Sequence, residues 1–125
     1  MIQFEIPGPP RTLLRARHTR NGHTYDPAQN RANKREIAEV AKRTMICNCI
    51  GAVDGPVAVS ITAYKRTQKK QAGPLVARPD CDNIGKLFLD AMNGVVYADD
   101  CQVVNLHVEK HYGARSFTRV VVTEL

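Results

Sequence analysis

The segment "RPDCDNIGKLFLDAMNGVVYADD", residues 78–100, holds five of the twelve carboxylates of this 125-residue chain and only two of its basic residues. From Asp80 to Asp100 there are five acids and one lysine, a local charge of −4, although the chain as a whole carries +6. The remainder therefore has 17 basic and 7 acidic residues, or +10. Like charges held close together raise each other's pKa and lower stability. This acidic window, residues 80–100, needs either a cation or a structural reason.

Composition indicates an ordinary globular domain: 43% of the residues are apolar and 24% are charged. The +10 surface favours a polyanionic partner such as nucleic acid, although a soluble protein can also simply be basic. The opening "MIQFEIPGPP" lacks a signal peptide's features, and no apolar run is long enough to span a membrane. We expect a cytoplasmic protein, and its four cysteines are then expected to be reduced thiols. Their spacing is not that of a zinc site.

Apolar periodicity predicts an α/β fold of the α+β kind: one domain, residues 1–125, with a mixed sheet and two main helices. Asp26-Pro27 fits a helix cap followed by proline at the first helical position. Gly51 and Gly94 are placed to end the two helices. The predicted strands span residues 1–6, 57–64, 103–112 and 117–123, and the predicted helices span residues 27–50 and 83–93.

Two basic segments flank these elements. The arm "RTLLRARHTRNGHTY" contains an Asn21-Gly22 hairpin signal, and "KRTQKKQAGPLVARP" is an aperiodic loop with no acid. Both suit contacts to a phosphate backbone, although the arm could equally be an edge strand guarded by charge and the loop simply solvated. The candidate DNA-binding residues are Arg15, Arg17, Arg20, Lys69, Lys70 and Arg78.

Within the acidic window, spacing permits a cluster of carboxylates. Asp80 and Asp82 point to the same side if their segment is extended and the helix begins after it. An extended "VVYA" that doubles back would then bring Asp99 and Asp100 to the start of that helix. Oxygen-only ligands favour Mg²⁺ or Mn²⁺. Beside a basic surface such a metal suits phosphodiester hydrolysis, with Lys86 stabilising the charge on the phosphate.

Each of these residues also has a structural interpretation. Asp82 could be a helix N-cap, and Lys86 and Asp90 could be an i,i+4 surface pair. Asp99 and Asp100 could form only a turn before the next strand. If all of these structural interpretations hold, the acidic window is structural and the sequence describes a non-catalytic, basic nucleic-acid-binding protein.

The motif "D-C-D-N-I-G-K", followed by "L-D-A-M-N-G-V-V-Y-A-D-D-C-Q-V", resembles the RusA family of Holliday junction resolvases. That family carries a D-x-D-N-x-x-K run at the head of a helix and then an aromatic-x-D-D-x-Q run. The match is dense over residues 79–103, and the order of the predicted elements agrees over the whole chain. One departure is Tyr97, where many members have Trp.

The resemblance implies a homodimeric, Mg²⁺-dependent endonuclease that cuts four-way DNA junctions by paired symmetric nicks, in recombination and repair. It implies a bacterial or phage-infected cell, no membrane, no organic cofactor, and Mn²⁺ as a substitute metal. The family's metal-binding and catalytic acids map onto Asp80, Asp82 and Asp100, and its catalytic lysine onto Lys86. Asp90 and Asp99 fall on acidic positions with supporting roles. A metal-dependent nuclease for other branched DNA is the remaining alternative.

Overall fold

The computed structural model describes residues 1–14, 16–67 and 73–125, apart from the side chain of Arg17. Within them, one five-stranded sheet and two helices confirm the predicted α+β architecture. The elements in chain order are β1 (Ile2–Pro7), β2 (Arg17–His18), β3 (Thr24–Tyr25), α1 (Ala28–Cys47), β4 (Val57–Arg66), β5 (Gly73–Pro74), α2 (Cys81–Met92), a 3₁₀ turn (Asp100–Gln102), β6 (Val103–Gly113) and β7 (Phe117–Glu124).

The sheet is mixed, in the order β1-β7-β4-β6-β5. β4 and β6 run parallel, and the other neighbouring strands are antiparallel. The short β2 and β3 pair with each other as the predicted hairpin, and Gly22 in its turn has a φ of +77°. Glycine suits that turn because this left-handed backbone disfavours a side chain.

Both helices lie on one face of the sheet, where alternate residues of β1, β4 and β7 form the core. α1 packs against α2 and β1, and α2 packs against β6. Gly85 makes the second contact close: a Cβ atom added there would lie 3.3 Å from both Leu106 Cδ2 and Val108 Cγ2. The start of α2 is therefore held against the strand that follows the acidic window.

Gly94 ends α2 as predicted, directly after the Asn93 C-cap and with φ +78°, but both predicted ends of α1 need correction. α1 ends at Cys47, before the predicted Gly51, because Cys49 takes the left-handed conformation, with φ +54°. The Ile50 N–H then bonds the Met45 carbonyl at 2.9 Å, which closes the helix in a Schellman-type turn. At its start, α1 has Pro27 rather than Asp26 in the capping position.

A candidate metal and nucleic-acid site

The first turn of α2 presents Asp80 and Asp82 to solvent. The helix begins at Cys81, earlier than predicted, so Asp80 is the last extended residue and Asp82 is already helical. The two carboxylates therefore do not share one side of an extended segment. Asp80 occupies the N-cap position, yet its side chain makes no capping hydrogen bond. The interpretation of Asp82 as the N-cap is wrong, although its charge does lie at the favourable, positive end of the helix dipole.

Lys86 and Asp90 follow one and two turns further along α2. The Asp90 carboxylate lies 3.8 Å from the Lys34 ammonium on α1, and this is the ion pair that it makes within the described residues. The proposed surface pair between Lys86 and Asp90 is therefore absent there. Lys86 is exposed and its ammonium is available to a ligand.

Between α2 and the 3₁₀ turn the chain is compact rather than extended. The Gly94 N–H bonds the Tyr97 carbonyl at 2.8 Å, and the fully buried Tyr97 donates its hydroxyl to the Leu89 carbonyl at 2.9 Å. Burial, with smaller contributions from the Asp100 and Asp90 charges, raises the pKa of Tyr97, so the hydroxyl remains a donor. The expected return strand is thus replaced by a turn anchored on α2.

The turn at Asp99–Gln102 is a capping box. The Asp99 carboxylate accepts from the Cys101 N–H at 3.3 Å, and Gln102 Oε1 accepts from the Ala98 and Asp99 N–H groups at 2.9 and 3.1 Å. Gln102 Nε2 donates to two carbonyls of the segment before β4, at 2.9 and 3.0 Å; these are the carbonyls of Val53 and Gly55. The structural interpretation therefore accounts for Asp99, and Gln102 emerges as a supporting residue that the D-x-x-Q pattern could have revealed.

Asp99 and Asp100 have opposite pKa shifts. The hydrogen bond from the Cys101 backbone holds the pKa of Asp99 below its usual value. The pKa of Asp100 is raised, chiefly by its hydrogen bond with Asp99 and by loss of solvation, and also by the nearby charges of Asp99 and Asp90; Lys86 acts in the opposite direction. Asp100 is therefore a crowded anion whose charge interacts with those of Lys86 and Asp90 on α2.

Across residues 1–14, 16–67 and 73–125, no three Asp, Glu, His or Cys side chains are grouped closely enough to hold a metal ion. The predicted convergence of Asp80, Asp82 and Asp100 at one point is thus not seen in a single chain. The early start of α2 and the compact turn explain the difference. The donors themselves suit Mg²⁺, because this ion usually takes one or two carboxylates and completes its shell with water and substrate phosphate.

Arg78 and Asp80 line a cavity of about 390 Å³ between α2 and the N-terminal arm. Its other walls are Asn83 and residues 12–14 of the arm. Arg78 is exposed, as is Arg20 in the β2–β3 turn, so both can contact a phosphate backbone. The other sequence-predicted contacts lie outside the described part of the chain: Arg15, Lys69, Lys70 and the side chain of Arg17.

Asn30 fixes the arm that forms this cavity. Its fully buried side chain accepts from the Leu14 N–H at 2.8 Å and donates to the Leu14 carbonyl at 2.9 Å and to Asp26 Oδ1 at 2.7 Å. Arg11 adds an ion pair with Glu36 of α1, so this arginine holds the arm in place. Sequence analysis did not single out Asn30, because nothing local marks a polar residue whose partner lies 16 positions away.

The start of α2, which carries the exposed carboxylates and lysine, thus lies next to the arm that Arg11 and Asn30 hold in place. A family model, "Endodeoxyribonuclease RusA", matches residues 7–123. The chain belongs to the RusA endodeoxyribonuclease family, the family of Holliday junction resolvases that the motifs resembled. It is also 33% identical, over 140 residues, to the uncharacterized protein YqaN of Bacillus subtilis (strain 168). That match covers 99% of this chain and 96% of the relative.

The part of the chain that the structure describes contains no helix both long enough and apolar enough to cross a membrane.

Proposed function

We propose that this chain is a homodimeric, Mg²⁺-dependent endonuclease that resolves four-way DNA junctions by paired symmetric nicks, in recombination and repair. One observation carries the proposal beyond family membership. Asp80 and Asp82 are exposed, and neither side chain caps α2. The residues outside the acidic window carry a net charge of +10. Two carboxylates with no role in capping the helix, facing a polyanionic substrate, need a cation between them and the phosphate.

The candidate ligands for Mg²⁺, which Mn²⁺ could replace, are Asp80, Asp82 and Asp100. Because the three carboxylates do not meet at one point in the described residues, one or two of them would hold the ion, with water and substrate phosphate completing its shell. When bound, the metal supplies a hydroxide at neutral pH and neutralises charge on the scissile phosphate. The raised pKa of Asp100 is consistent with this assignment, because the crowding that raises it is relieved by a cation.

The remaining steps belong to the protein's own groups. The exposed Lys86 ammonium, one helical turn beyond Asp82, donates hydrogen bonds to phosphate oxygens as negative charge develops there. Asp100, whose charge interacts with Lys86, keeps that ammonium directed at the site. Arg78 borders the cavity next to Asp80 and contacts the phosphate backbone beside the cut. Asp90 and Asp99 act indirectly, through Lys34 and through the capping box.

Affinity for DNA comes from the basic residues outside the acidic window. We assign phosphate contacts to Arg15, Arg17, Arg20, Lys69, Lys70 and Arg78. Such contacts release counterions, so junction affinity should fall steeply as salt is raised. Two copies of the chain match the two-fold symmetry of a four-way junction and provide the two equivalent sites that paired nicks require.

The test is cleavage of a labelled synthetic four-way junction with Mg²⁺, compared with linear duplex and flap DNA at the same salt. Paired symmetric nicks in the junction that vanish with chelator would support the proposal. Equal cutting of flap and junction would instead define a nuclease for branched DNA. Salt-sensitive binding that ignores both Mg²⁺ and chelator, without cutting, would leave a non-catalytic DNA-binding protein.

A further inference from the structure

Half of β6 lies at an open edge of the sheet. β4 pairs with one side of β6 along its whole length. On the other side, β5 pairs only with His111 and Tyr112, and the Leu75 N–H reaches the Lys110 carbonyl at 3.1 Å. Within the described residues, no strand pairs with this side of residues 103–107. Their outward N–H and C=O groups form an unpaired row, which is the usual template for adding a strand.

This open edge is also apolar. Val104 and Leu106 are 64% and 44% exposed, on the face of the sheet where α2 packs. On the neighbouring β4, the residues of the same face are almost fully buried: Val57, Val59 and Ile61. Strands that end a sheet in a monomer are normally protected by charge, proline or a covering element. Residues 103–107, "VVNLH", contain no lysine, arginine, aspartate, glutamate or proline.

We propose that residues 103–107 pair with the same segment of a second copy of this chain, antiparallel about a two-fold axis near Asn105. This register places Val104 opposite Leu106 of the other copy, twice, and thereby covers both exposed apolar side chains. Asn105 lies opposite itself on the other face, and no two like charges are brought together. The segment is therefore complementary to itself, as an isologous interface requires.

The interface rests on the homodimer of the proposed function and gives it a geometry. Asp99 and Asp100 directly precede the paired segment, and α2 packs on it through Gly85. The two five-stranded sheets become one, and each copy's site is attached to it. The two Val103 residues lie about 13 Å apart along the strands, at about 3.3 Å per residue. The strand pairing thus sets how the two sites are placed relative to each other.

Sedimentation equilibrium of the unmodified chain and of Leu106→Glu tests the interface. We expect the unmodified chain to have twice the 13.9 kDa mass of one copy, and Leu106→Glu to dissociate at least tenfold more readily, because two carboxylates enter an apolar contact. Ile46→Glu is the matched control: Ile46 is 68% exposed in a separate apolar patch on α1, beside a cavity formed with Ile50 and Val95. It should remain dimeric. Circular dichroism checks that both variants fold.

Cross-linking of Asn105→Cys is a second test, and it does not require the dimer to be disrupted. Directly opposed residues of antiparallel strands have Cα atoms about 4.5–5.5 Å apart, within the range of a disulfide. Mild oxidation should therefore cross-link Asn105→Cys into a covalent dimer well above the background from the exposed native cysteines, and Asn21→Cys should not cross-link above it.

Three results would overturn the interface: a monomeric unmodified chain at tens of micromolar, dissociation by Ile46→Glu but not by Leu106→Glu, or no excess cross-linking of Asn105→Cys. A dimer that depends on Leu106 but does not cut junctions would support the interface and count against the proposed function. A junction-cutting dimer that is indifferent to Leu106→Glu would do the reverse.

Discussion

The acidic window places two carboxylates at each of its ends, and the fold uses the two pairs differently. At the Asp99–Gln102 turn, the Asp99 carboxylate accepts a backbone N–H and the turn is closed by a capping box. At the start of α2, Asp80 and Asp82 are both exposed and neither caps the helix. The capping box explains the acid at Asp99, whereas Asp80 and Asp82 make no such hydrogen bond and gain only a favourable position at the positive end of the helix dipole. Residues that the fold does not need are the better candidates for chemistry.

The sharpest way to test this contrast is Asp82→Asn. We expect junction cleavage to fall by at least about a hundredfold, because a metal ligand is lost from a site that stabilises developing charge. Junction binding should be unchanged or tighter, since repulsion of phosphate is relieved. The free energy of unfolding should change by no more than about 0.5 kcal/mol, as for other exposed substitutions. Asp54→Asn, an exposed acid outside the window, is the control and should cleave normally.

The opposite behaviour is expected for Gln102→Ala. This change removes two hydrogen bonds that close the turn and two that tie it to the segment before β4. It should lower the free energy of unfolding by about 2 kcal/mol, since each lost bond is worth about 0.5–1.5 kcal/mol and water partly replaces them. Urea titration measures the loss, with Gln3→Ala on β1 as an exposed control. If the Gln102→Ala chain is as stable as the unmodified one, these hydrogen bonds do not stabilise the fold, and the contrast between the two ends of the acidic window fails.

Mg²⁺ should act through Asp80, Asp82 and Asp100 and not through Asp99, whose carboxylate the capping box already uses. If the ion binds the folded chain alone, its binding stabilises that chain, by about 1.4 kcal/mol at ten times its dissociation constant. We expect Mg²⁺ to raise the thermal midpoint of the unmodified chain by several degrees and to leave that of Asp82→Asn unchanged. An equal rise in both proteins would show that the ion binds elsewhere.

The smallest effect is expected at Glu5, a carboxylate outside the window that is used only in ion pairing. Hydrogen bonds from Arg115, and then from Arg119, lower the pKa of Glu5. A depressed pKa contributes stability above the ordinary value of 4.5, and that stability is lost as pH falls through the folded-state value. Glu5→Gln should cost about 0.2–1 kcal/mol at pH 7. In urea titrations the difference from the unmodified chain should shrink as pH falls below 4.5 and through the lowered folded-state pKa; a constant difference would exclude this cause.

Much of this fold follows from local pattern. Alternating apolar residues located the four long strands to within two residues, and the apolar stripe of α2 located that helix, because periodicity reports which face is buried. The end of α1 was missed because cysteine at position 49, rather than a glycine, takes the left-handed conformation. The early start of α2 was missed because adding two residues before the apolar stripe changes no apolar pattern, yet it reorients Asp80 relative to Asp82.

The supporting side chains could not be located from local pattern. Gln102 bonds a carbonyl 49 positions away and Asn30 bonds a backbone 16 positions away. Such pairs depend on how whole elements pack, and no spacing rule within one segment encodes them. Family membership supplied the roles of Asp80, Asp82, Lys86 and Asp100, which remain predictions for this chain.

Gly85 joins the open edge of β6 to the helix that carries the candidate catalytic residues. Its missing side chain lets α2 rest directly on Leu106 and Val108, and the next residue along the helix is Lys86. We therefore expect assembly and catalysis to share a coupling free energy: a shift of Leu106 on pairing with a second copy reaches the lysine through one residue. A larger residue at position 85 would weaken that linkage and lower cleavage per bound subunit, even where the dimer still forms.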